Sequence, residues 1–231
     1  MKYLISGTKS GLGKFLFQNL KKESLGLNRN NRNLLKKFNS FDVIIHCAFN
    51  KENEISDYYK YIDDNIFLTE QLLKLNYKKF IYISSIDVYS QKNSNYVLFK
   101  KISEKLVMKK KNTLILRCSS MVGESMKNNH LLKIKKSKDT NLSSYSTFNY
   151  ILMSDIFKFI LNHKKIHNRV IDFVSNKNIT LKSVSNFFNS NTVFGKSRHI
   201  TKNNFINPIF KYYDSFSYSS LQNLNRYFKK Y

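Results

Sequence analysis

The sequence predicts an α/β fold in which a doubly wound parallel sheet is covered by helices. Short runs rich in β-branched and aromatic residues alternate with stretches of helical periodicity. The length of 231 residues suits one domain with a full hydrophobic core. Neither a Pro/Gly-rich linker nor an internal repeat divides the sequence. We therefore expect a single domain over residues 1–231.

Six runs are predicted to form the sheet, and they cover residues 2–6, 24–28, 41–47, 79–84, 113–118 and 169–174. The helix predicted after the first strand places four side chains on one face, those of Leu12, Phe15, Leu16 and Leu20. Further helices are predicted over 58–75, 96–109 and 154–163, after a Thr180 cap, and near 219–229. The polar stretch 124–147 is interpreted as a loop with a short helix near 129–135, and the tail 190–231 is aromatic and basic.

The net charge limits the partners that the chain can have. The sequence holds 40 Lys and Arg against 15 Asp and Glu, a formal charge of +25. Such a charge suits nucleic acid or an anionic membrane, but the lysine surplus runs through every segment and no arginine-rich tract appears. We interpret it as a solvated basic surface and expect no specific nucleic-acid partner. It would still attract an anionic small-molecule substrate.

The composition also predicts a cytoplasmic protein. No run approaches the ~18 apolar residues of a transmembrane helix. The start MKYLISGTKSG does not resemble a signal peptide, because its apolar stretch ends at Ser6 and Gly7. The two cysteines, Cys47 and Cys118, lie in apolar runs and are interpreted as reduced core residues of an intracellular protein.

A glycine-rich turn follows the first predicted strand. Gly7, Gly11 and Gly13 are three of only six glycines in the chain. At the start of a helix, glycines allow a tight turn and let backbone N–H groups face a pyrophosphate. An ordinary strand–helix turn needs one glycine, so three at this spacing predict a dinucleotide site in a Rossmann-type sheet. Ser10 and Leu12 of the same turn are expected to contact the cofactor.

The end of the second strand bears on the choice of cofactor. Arg29 follows Gly13 by 16 residues, where an acidic residue would bind the ribose 2′-hydroxyl of NAD. An arginine at this place can pair with the 2′-phosphate of NADP, so the sequence slightly favours NADP over NAD. The alternative is a solvated arginine, and Arg32 or a nearby lysine could take the same role.

Small and polar residues end the third strand. Ala48 lets the chain pass close to the adenosine half of the cofactor, and Cys47 beside it is expected to line the same site. His46 is interpreted as a hydrogen-bonded core histidine, because no partner ligands stand at metal-binding spacing. We expect no metal.

The candidate catalytic residues follow the fourth strand. Ser85 ends that strand, and Tyr96 comes eleven residues later, with Lys100 and Glu104 at steps of four on the same helix face. A lysine one turn from a tyrosine stabilises the phenolate and lowers a pKa that is otherwise ~10. A serine hydroxyl can hold a carbonyl or hydroxyl oxygen beside that tyrosine. The three residues Ser85, Tyr96 and Lys100 therefore predict acid/base chemistry.

The ordered motifs resemble the extended short-chain dehydrogenase/reductase family, which includes nucleotide-sugar epimerases, dehydratases and keto reductases. The resemblance covers most of residues 1–175 and rests on the glycine turn, DVIIHCA, Asp64-Asn65, KKFIYISSIDVYS, Tyr96 with Lys100 and Glu104, LILRCSSMVG, STFNYILMSDIFKFI and RVIDFVSNKNITLKSV. It implies that Ser85 holds a substrate oxygen and that Tyr96 is the acid/base and also contacts the cofactor. It further implies that Lys100 modulates the pKa of Tyr96 and contacts the cofactor ribose. It also implies that residues 119–122 lie near the nicotinamide and that Asn65 is structural.

The sequence departs from this family in three ways. The glycines are spaced G-x-x-x-G-x-G instead of the more usual G-x-x-G-x-x-G, the interval from Ser85 to Tyr96 is short, and the C-terminal region is small. We expect a Rossmann core over about 1–123 and 148–175, and a reduced substrate-binding portion over 124–147 and 176–231.

These observations predict an NAD(P)-dependent reductase or epimerase that acts on a nucleotide-linked sugar. A sugar 4,6-dehydratase needs an acid and a base after the serine, and Ile86 in the first of these positions weakens that reading, although Asp87 could act as a base. The same motifs would also suit a non-catalytic dinucleotide-binding sensor or scaffold, and the basic charge would suit an RNA-binding protein. The resemblance further implies a homodimer through the helices near 58–75 and 96–109.

Overall fold

The structure is a computed structural model that describes residues 1–38, 40–51, 57–90, 94–163, 165–202 and 217–229. In chain order its strands are β1 (Tyr3–Ser6), β2 (Ser24–Leu27), β3 (Ser40–His46), β4 (Asn76–Ser85), β5 (Thr113–Cys118), β6 (Ser120–Val122), β7 (Thr140–Leu142), β8 (Thr147–Phe148), β9 (Tyr150–Leu152), β10 (Arg169–Phe173), β11 (Ile179–Thr180) and β12 (Phe194–Ser197). Its α-helices are α1 (Gly11–Asn19), α2 (Tyr58–Ile62), α3 (Leu68–Leu73), α4 (Asn95–Met108), α5 (His130–Lys135), α6 (Met153–Asn162), α7 (Leu181–Phe187) and α8 (Ser220–Phe228).

Six of these strands form one parallel sheet in the order β10-β5-β4-β3-β1-β2. From β1 the chain first adds β2 on one side and then β3, β4, β5 and β10 on the other. The direction of winding therefore reverses between β1 and β3, the place where doubly wound sheets bind their ligands. The predicted fold class, an α/β protein with a Rossmann-type doubly wound parallel sheet, is confirmed.

The central strand β4 shows how the sheet separates two hydrophobic layers. Its side chains alternate between the two faces, as the two-residue period of a strand requires. Ile81 and Ile83 pack into the core formed with α1 and α6, whereas Phe80 and Tyr82 pack into the core formed with α3 and α4. All four are buried, so both faces of this strand are covered, as is usual in parallel sheets.

A third, smaller core lies in the C-terminal portion, the part of the chain after β5 whose strands do not join the six-stranded sheet. It joins α5, α7 and α8 to three two-stranded pairings, β6 with β9, β7 with β12, and β8 with β11. Helix α8 is held there by Asn223, whose Nδ2 donates to the Tyr150 carbonyl at 2.9 Å, and by the Arg226–Asp155 ion pair at 2.9 Å.

Some element boundaries differ from those predicted. The helix predicted over 58–75 consists of α2 and α3 joined by one π-helical turn, Asp63–Phe67, and β4 begins at Asn76. Six short strands were not predicted, because two to four residues are too few to show a strand period; they are β6, β7, β8, β9, β11 and β12. The Thr180 cap is confirmed, since its side chain accepts from the Ser183 amide. In the part of the chain that the structure describes, no helix has the length and apolar character to span a bilayer.

Candidate functional site

Two adjoining cavities open where β1 and β3 end. The first has a volume of about 590 Å³ and the second about 500 Å³. Both are lined by the glycine turn and by the chain after β3, and they share Gly7, Ser10, Ala48, Phe49, Lys51 and Lys127. The first cavity extends towards the end of β2, and the second towards β4, α4 and the C-terminal portion. Together they form one continuous groove across the point where the winding reverses.

The glycine turn needs its glycines for close backbone approach. Gly7 has φ +78°, and a Cβ on it would lie 2.8 Å from the Ala48 nitrogen. A Cβ on Gly13 would overlap the carbonyl oxygen of Gly7. Ser10, Gly11, Leu12 and Gly13 all line the second cavity. The turn therefore forms a cradle that a side chain would fill, and it fits the pyrophosphate of a dinucleotide.

Arg29, at the end of β2, was expected to be available to a cofactor phosphate, and the structure gives it a partner within the protein. Arg29 lines the first cavity, but its Nη2 donates to Asp64 Oδ2 at 2.5 Å. The buried Asp64 carboxylate lies on the π-helical turn and also accepts from Asn50 Nδ2 at 3.1 Å. Arg29 is therefore already paired. Its partner was missed from the sequence, because 35 residues separate the two.

The residues at the end of β3 occupy two environments. His46 is 1% exposed; its Nδ1 is 2.7 Å from Ser6 Oγ and its Nε2 is 3.0 Å from Thr69 Oγ1. Burial lowers the pKa of this imidazole to about 3, so the prediction of a hydrogen-bonded core histidine is confirmed. Cys47 and Ala48 line the second cavity. Both cysteines are free thiols, and burial raises the pKa of Cys47 to about 12.

The three predicted catalytic residues line the second cavity together. Ser85 ends β4, and its Oγ donates to Asp87 Oδ2 at 3.1 Å while accepting from the Asp87 amide at 3.2 Å. Tyr96 lies in the first turn of α4 and Lys100 one turn later. Ser94 starts this helix by accepting from the Val97 amide, so the cap fixes where the tyrosine enters the cavity.

Aromatic and basic side chains surround Tyr96. The Phe49 ring meets it edge-on at 5.1 Å between centroids, and Lys51 Nζ lies 4.6 Å from its ring centroid. Burial raises the pKa of the Tyr96 phenol, and the Ser85 side chain opposes this rise. The sequence predicted that Lys100 lowers the pKa of Tyr96. In the structure, burial outweighs any such lowering, and the pKa of Tyr96 is raised.

Lys100 is buried between aromatic rings. It is 4% exposed, its Nζ donates to the Ile83 carbonyl at 2.8 Å, and it lies 4.2 Å from the Phe49 centroid and 4.7 Å from the Tyr82 centroid. Burial, followed by the positive charge of Lys51, lowers the pKa of Lys100 to about 7. The Lys100 amino group can therefore gain or lose a proton near neutral pH.

This shift predicts a pH dependence of stability. Between pH 7 and 10.5 the unfolded chain keeps a proton on Lys100 that the folded chain releases, so Lys100 makes the free energy of unfolding rise with pH across this window. Relative to Lys100→Met, the wild type should gain at most ~1.4 kcal/mol per pH unit. Urea denaturation at pH 7, 8 and 9 measures this. Lys105→Met, an exposed change on the same helix, is the control, and parallel curves for wild type and Lys100→Met would contradict the shift.

Glu104 is not part of the catalytic group, although it shares a helix face with Tyr96 and Lys100. It is 2% exposed; it accepts from Ser84 Oγ at 2.6 Å and forms an ion pair with Arg117 Nη2 at 2.7 Å. Arg117 Nη1 donates to the Tyr89 hydroxyl, which donates to the Asp172 carboxylate at 2.8 Å. Glu104 thus belongs to a structural network that ties α4 to three strands of the sheet.

Asn65 and residues 119–122 were predicted from the resemblance alone. Asn65 Oδ1 accepts from the Asn50 amide at 2.8 Å, and its carbonyl accepts from Thr69 and Ser103. It therefore connects the chain after β3 to α4. Ser119, Ser120 and Met121 line the second cavity, whereas Val122 is buried in the third core.

Several residues that line the groove were not predicted from the sequence. Lys51 and Lys127 line both cavities, and a stack of three rings lines the far end of the second, formed by His130, Phe148 and His199. These residues come from separate loops and strands, and no local spacing connects them. Over the described ranges, no group of three or more His, Cys, Asp or Glu side chains could hold a metal ion.

The sequence matches no family model and no curated protein. The structure is similar to that of MoeE5 in complex with UDP-glucose and NAD, with TM-score 0.78, 13% identity, and 98% of this chain and 99% of that chain covered. It is also similar to the UDP-glucuronic acid 4-epimerase from Bacillus cereus in complex with UDP-glucuronic acid and NAD (TM-score 0.71, 17% identity, 98% and 99% covered). A third is the dTDP-glucose 4,6-dehydratase from Bacillus anthracis in complex with NAD (TM-score 0.71, 13% identity, 100% and 97% covered).

These likenesses are structural, and identities of 13–17% establish the fold alone. Their coverage extends over the C-terminal portion as well as the central sheet. The chain has the fold of the NAD-dependent nucleotide-sugar epimerases and dehydratases, the extended short-chain dehydrogenase/reductase fold.

Proposed function

We propose that this chain is an NAD(P)-dependent oxidoreductase or epimerase that acts on a nucleotide-linked sugar. The observation that carries the proposal is the second cavity, which brings Ser85, Tyr96 and Lys100 together with the glycine turn. A sensor or scaffold has no need of this catalytic group in the same cavity as the cofactor cradle. The charge of +25 supports an anionic substrate.

Each residue has a role in this proposal. Ser85 holds a sugar oxygen by a hydrogen bond, and Tyr96 transfers the proton on that oxygen. Lys100 contacts the cofactor ribose and provides a nearby group that titrates close to neutral pH. Gly7, Gly11 and Gly13 hold the pyrophosphate through the backbone. When bound, the nicotinamide would accept or return the hydride of the sugar carbon.

Two observations bear on the type of reaction and on the cofactor. Ile86, in the position where a dehydratase needs an acid, is a buried residue that lines the second cavity together with Asp87, and it carries no titratable group. This favours epimerisation or reduction over dehydration, although Asp87 could act as a base. All three compared proteins were solved with NAD, so the likeness does not support the preference for NADP that Arg29 suggested.

The test is to purify the chain, identify any bound nucleotide by mass spectrometry, and incubate it with NAD or NADPH and a panel of UDP- and dTDP-sugars. We expect binding of a dinucleotide and conversion of at least one sugar, detected by chromatography. Dinucleotide binding with no conversion in the panel would favour the sensor. Salt-dependent RNA binding without dinucleotide binding would contradict the proposal.

We also propose that the chain forms a homodimer. Large apolar side chains are exposed on the two helical segments that the resemblance implies as the interface, namely Tyr58, Phe67, Leu98 and Met108. A dimer would cover such a patch. Light scattering coupled to gel filtration should give twice the 27.4 kDa mass of the chain, and a monomer at micromolar concentration would contradict the dimer.

A further inference from the structure

We propose that Asp64, held in place by Arg29, binds the adenosine ribose 2′-hydroxyl and makes the chain select NAD over NADP. This rests on the proposed function, because it concerns the cofactor of the same groove. It assigns to the π-helical turn Asp63–Phe67 a recognition role that dinucleotide-binding sheets usually give to the end of the second strand.

The end of β2 does not supply a carboxylate. The residue after this strand is Asn28, and its side-chain oxygen and backbone amide are engaged in the local turn. Its Oδ1 accepts from the Asn30 amide at 2.9 Å, and its own amide donates to Asn31 Oδ1 at 2.7 Å. Asn28 thus caps the following 3-10 helix. A carboxylate for the ribose must come from another element.

Asp64 lies where such a carboxylate is needed. It lines the first cavity together with Asn28 and Arg29 and is 8% exposed. Both hydrogen bonds that it accepts, from Arg29 Nη2 and Asn50 Nδ2, end on Oδ2. Among the described residues, no donor reaches Oδ1. That oxygen can accept a hydroxyl hydrogen from a ligand in the cavity, while the two bonds to Oδ2 fix the carboxylate.

The charges favour a hydroxyl over a phosphate at this place. Arg29 is matched by Asp64, and the neighbouring Arg32 is paired with Asp63, so the positive charge of both arginines is compensated. A 2′-phosphate would bring about −1.5 to −2 charges next to the Asp64 carboxylate. Arg29 gives Nη2 to Asp64, and a phosphate on its remaining N–H groups would still lie beside that carboxylate. Arg29 is therefore a positioning residue for Asp64, not a phosphate ligand.

Isothermal titration calorimetry with NAD and with NADP tests the role of Asp64 by measuring the two binding affinities, without an activity assay. The wild type should bind NAD at least about tenfold more tightly than NADP, the factor that corresponds to one charge-assisted hydrogen bond. Asp64→Asn keeps the shape and one acceptor oxygen for Asn50 and Arg29. It removes the negative charge that compensates Arg29 and replaces the other oxygen with an NH2 group, which cannot accept the ribose hydroxyl, so it should reduce that ratio about tenfold. The double variant Asp64→Asn/Arg29→Gln should lose the NADP affinity gained by the single one.

The matched control is Glu70→Gln, which makes the same charge change on α3 at a residue that lines neither cavity. It should leave the NAD/NADP ratio unchanged. A measurement without variants uses 5′-AMP and adenosine 2′,5′-bisphosphate on the wild type, and the 2′-phosphate should weaken binding about tenfold.

The outcomes separate this inference from the proposed function. Equal or tighter binding of NADP or of the bisphosphate by the wild type would overturn the inference and leave the dinucleotide proposal intact. A ratio that Asp64→Asn does not change, or that Glu70→Gln changes equally, would also overturn it. A wild-type chain that binds neither dinucleotide would contradict the proposed function and this inference with it.

Discussion

Replacing Tyr96 by phenylalanine is expected to lower kcat for the nucleotide sugar roughly 10²- to 10⁴-fold, the usual contribution of a positioned acid/base. The variant loses only the phenolic oxygen, the group that would exchange the substrate proton. The ring keeps its edge-on contact with Phe49 and its position near Lys51. Dinucleotide affinity and the free energy of unfolding should therefore change little.

The measurement compares initial rates and dinucleotide affinity for the wild type, Tyr96→Phe and Tyr145→Phe. Tyr145 is 68% exposed and lines neither cavity, so its variant makes the same chemical change away from the groove. Activity of Tyr96→Phe within a few-fold of the wild type would refute the acid/base role. An equal loss in both variants would indicate a general effect on the protein.

The second large effect concerns stability. Arg117→Met should lower the free energy of unfolding at pH 7 by about 3–5 kcal/mol, because removing one partner leaves a buried charge without compensation. The Glu104 side chain is only 3% exposed and would keep a single neutral donor, Ser84 Oγ, among the contacts described for it. The loss is a large fraction of the ~5–15 kcal/mol that stabilises a typical domain.

Urea denaturation measures this effect, and two variants control it. The double variant Glu104→Gln/Arg117→Met removes the buried charge and should recover much of the stability. Lys78→Met breaks an ion pair with Asp42 in which Lys78 is 84% exposed, and it should change stability little because solvent screens that pair. If Arg117→Met is as mild as Lys78→Met, the network does not stabilise the fold.

The strand and helix pattern could be predicted from the sequence because it depends on local regularities. Buried strands have mostly apolar sequences such as KFIYIS. The buried face of α1 follows from the four-residue spacing of Leu12 and Leu16. The predicted element boundaries were wrong where the local hydrophobic pattern was weak. The π-helical turn Asp63–Phe67 leaves helical periodicity nearly unchanged along the chain, and β7 and β12 are too short and polar to show a strand period.

The positions of the glycine turn and of Ser85, Tyr96 and Lys100 follow from the sequence, because their spacing along strand, turn and helix is local. The surroundings of these residues depend on the tertiary structure. It paired Arg29 with Asp64 and Glu104 with Arg117, and it buried Lys100 so that its pKa falls to about 7. These contacts join residues far apart in the chain, and their strength depends on how completely the packed sheet excludes water. Local spacing carries no information about either.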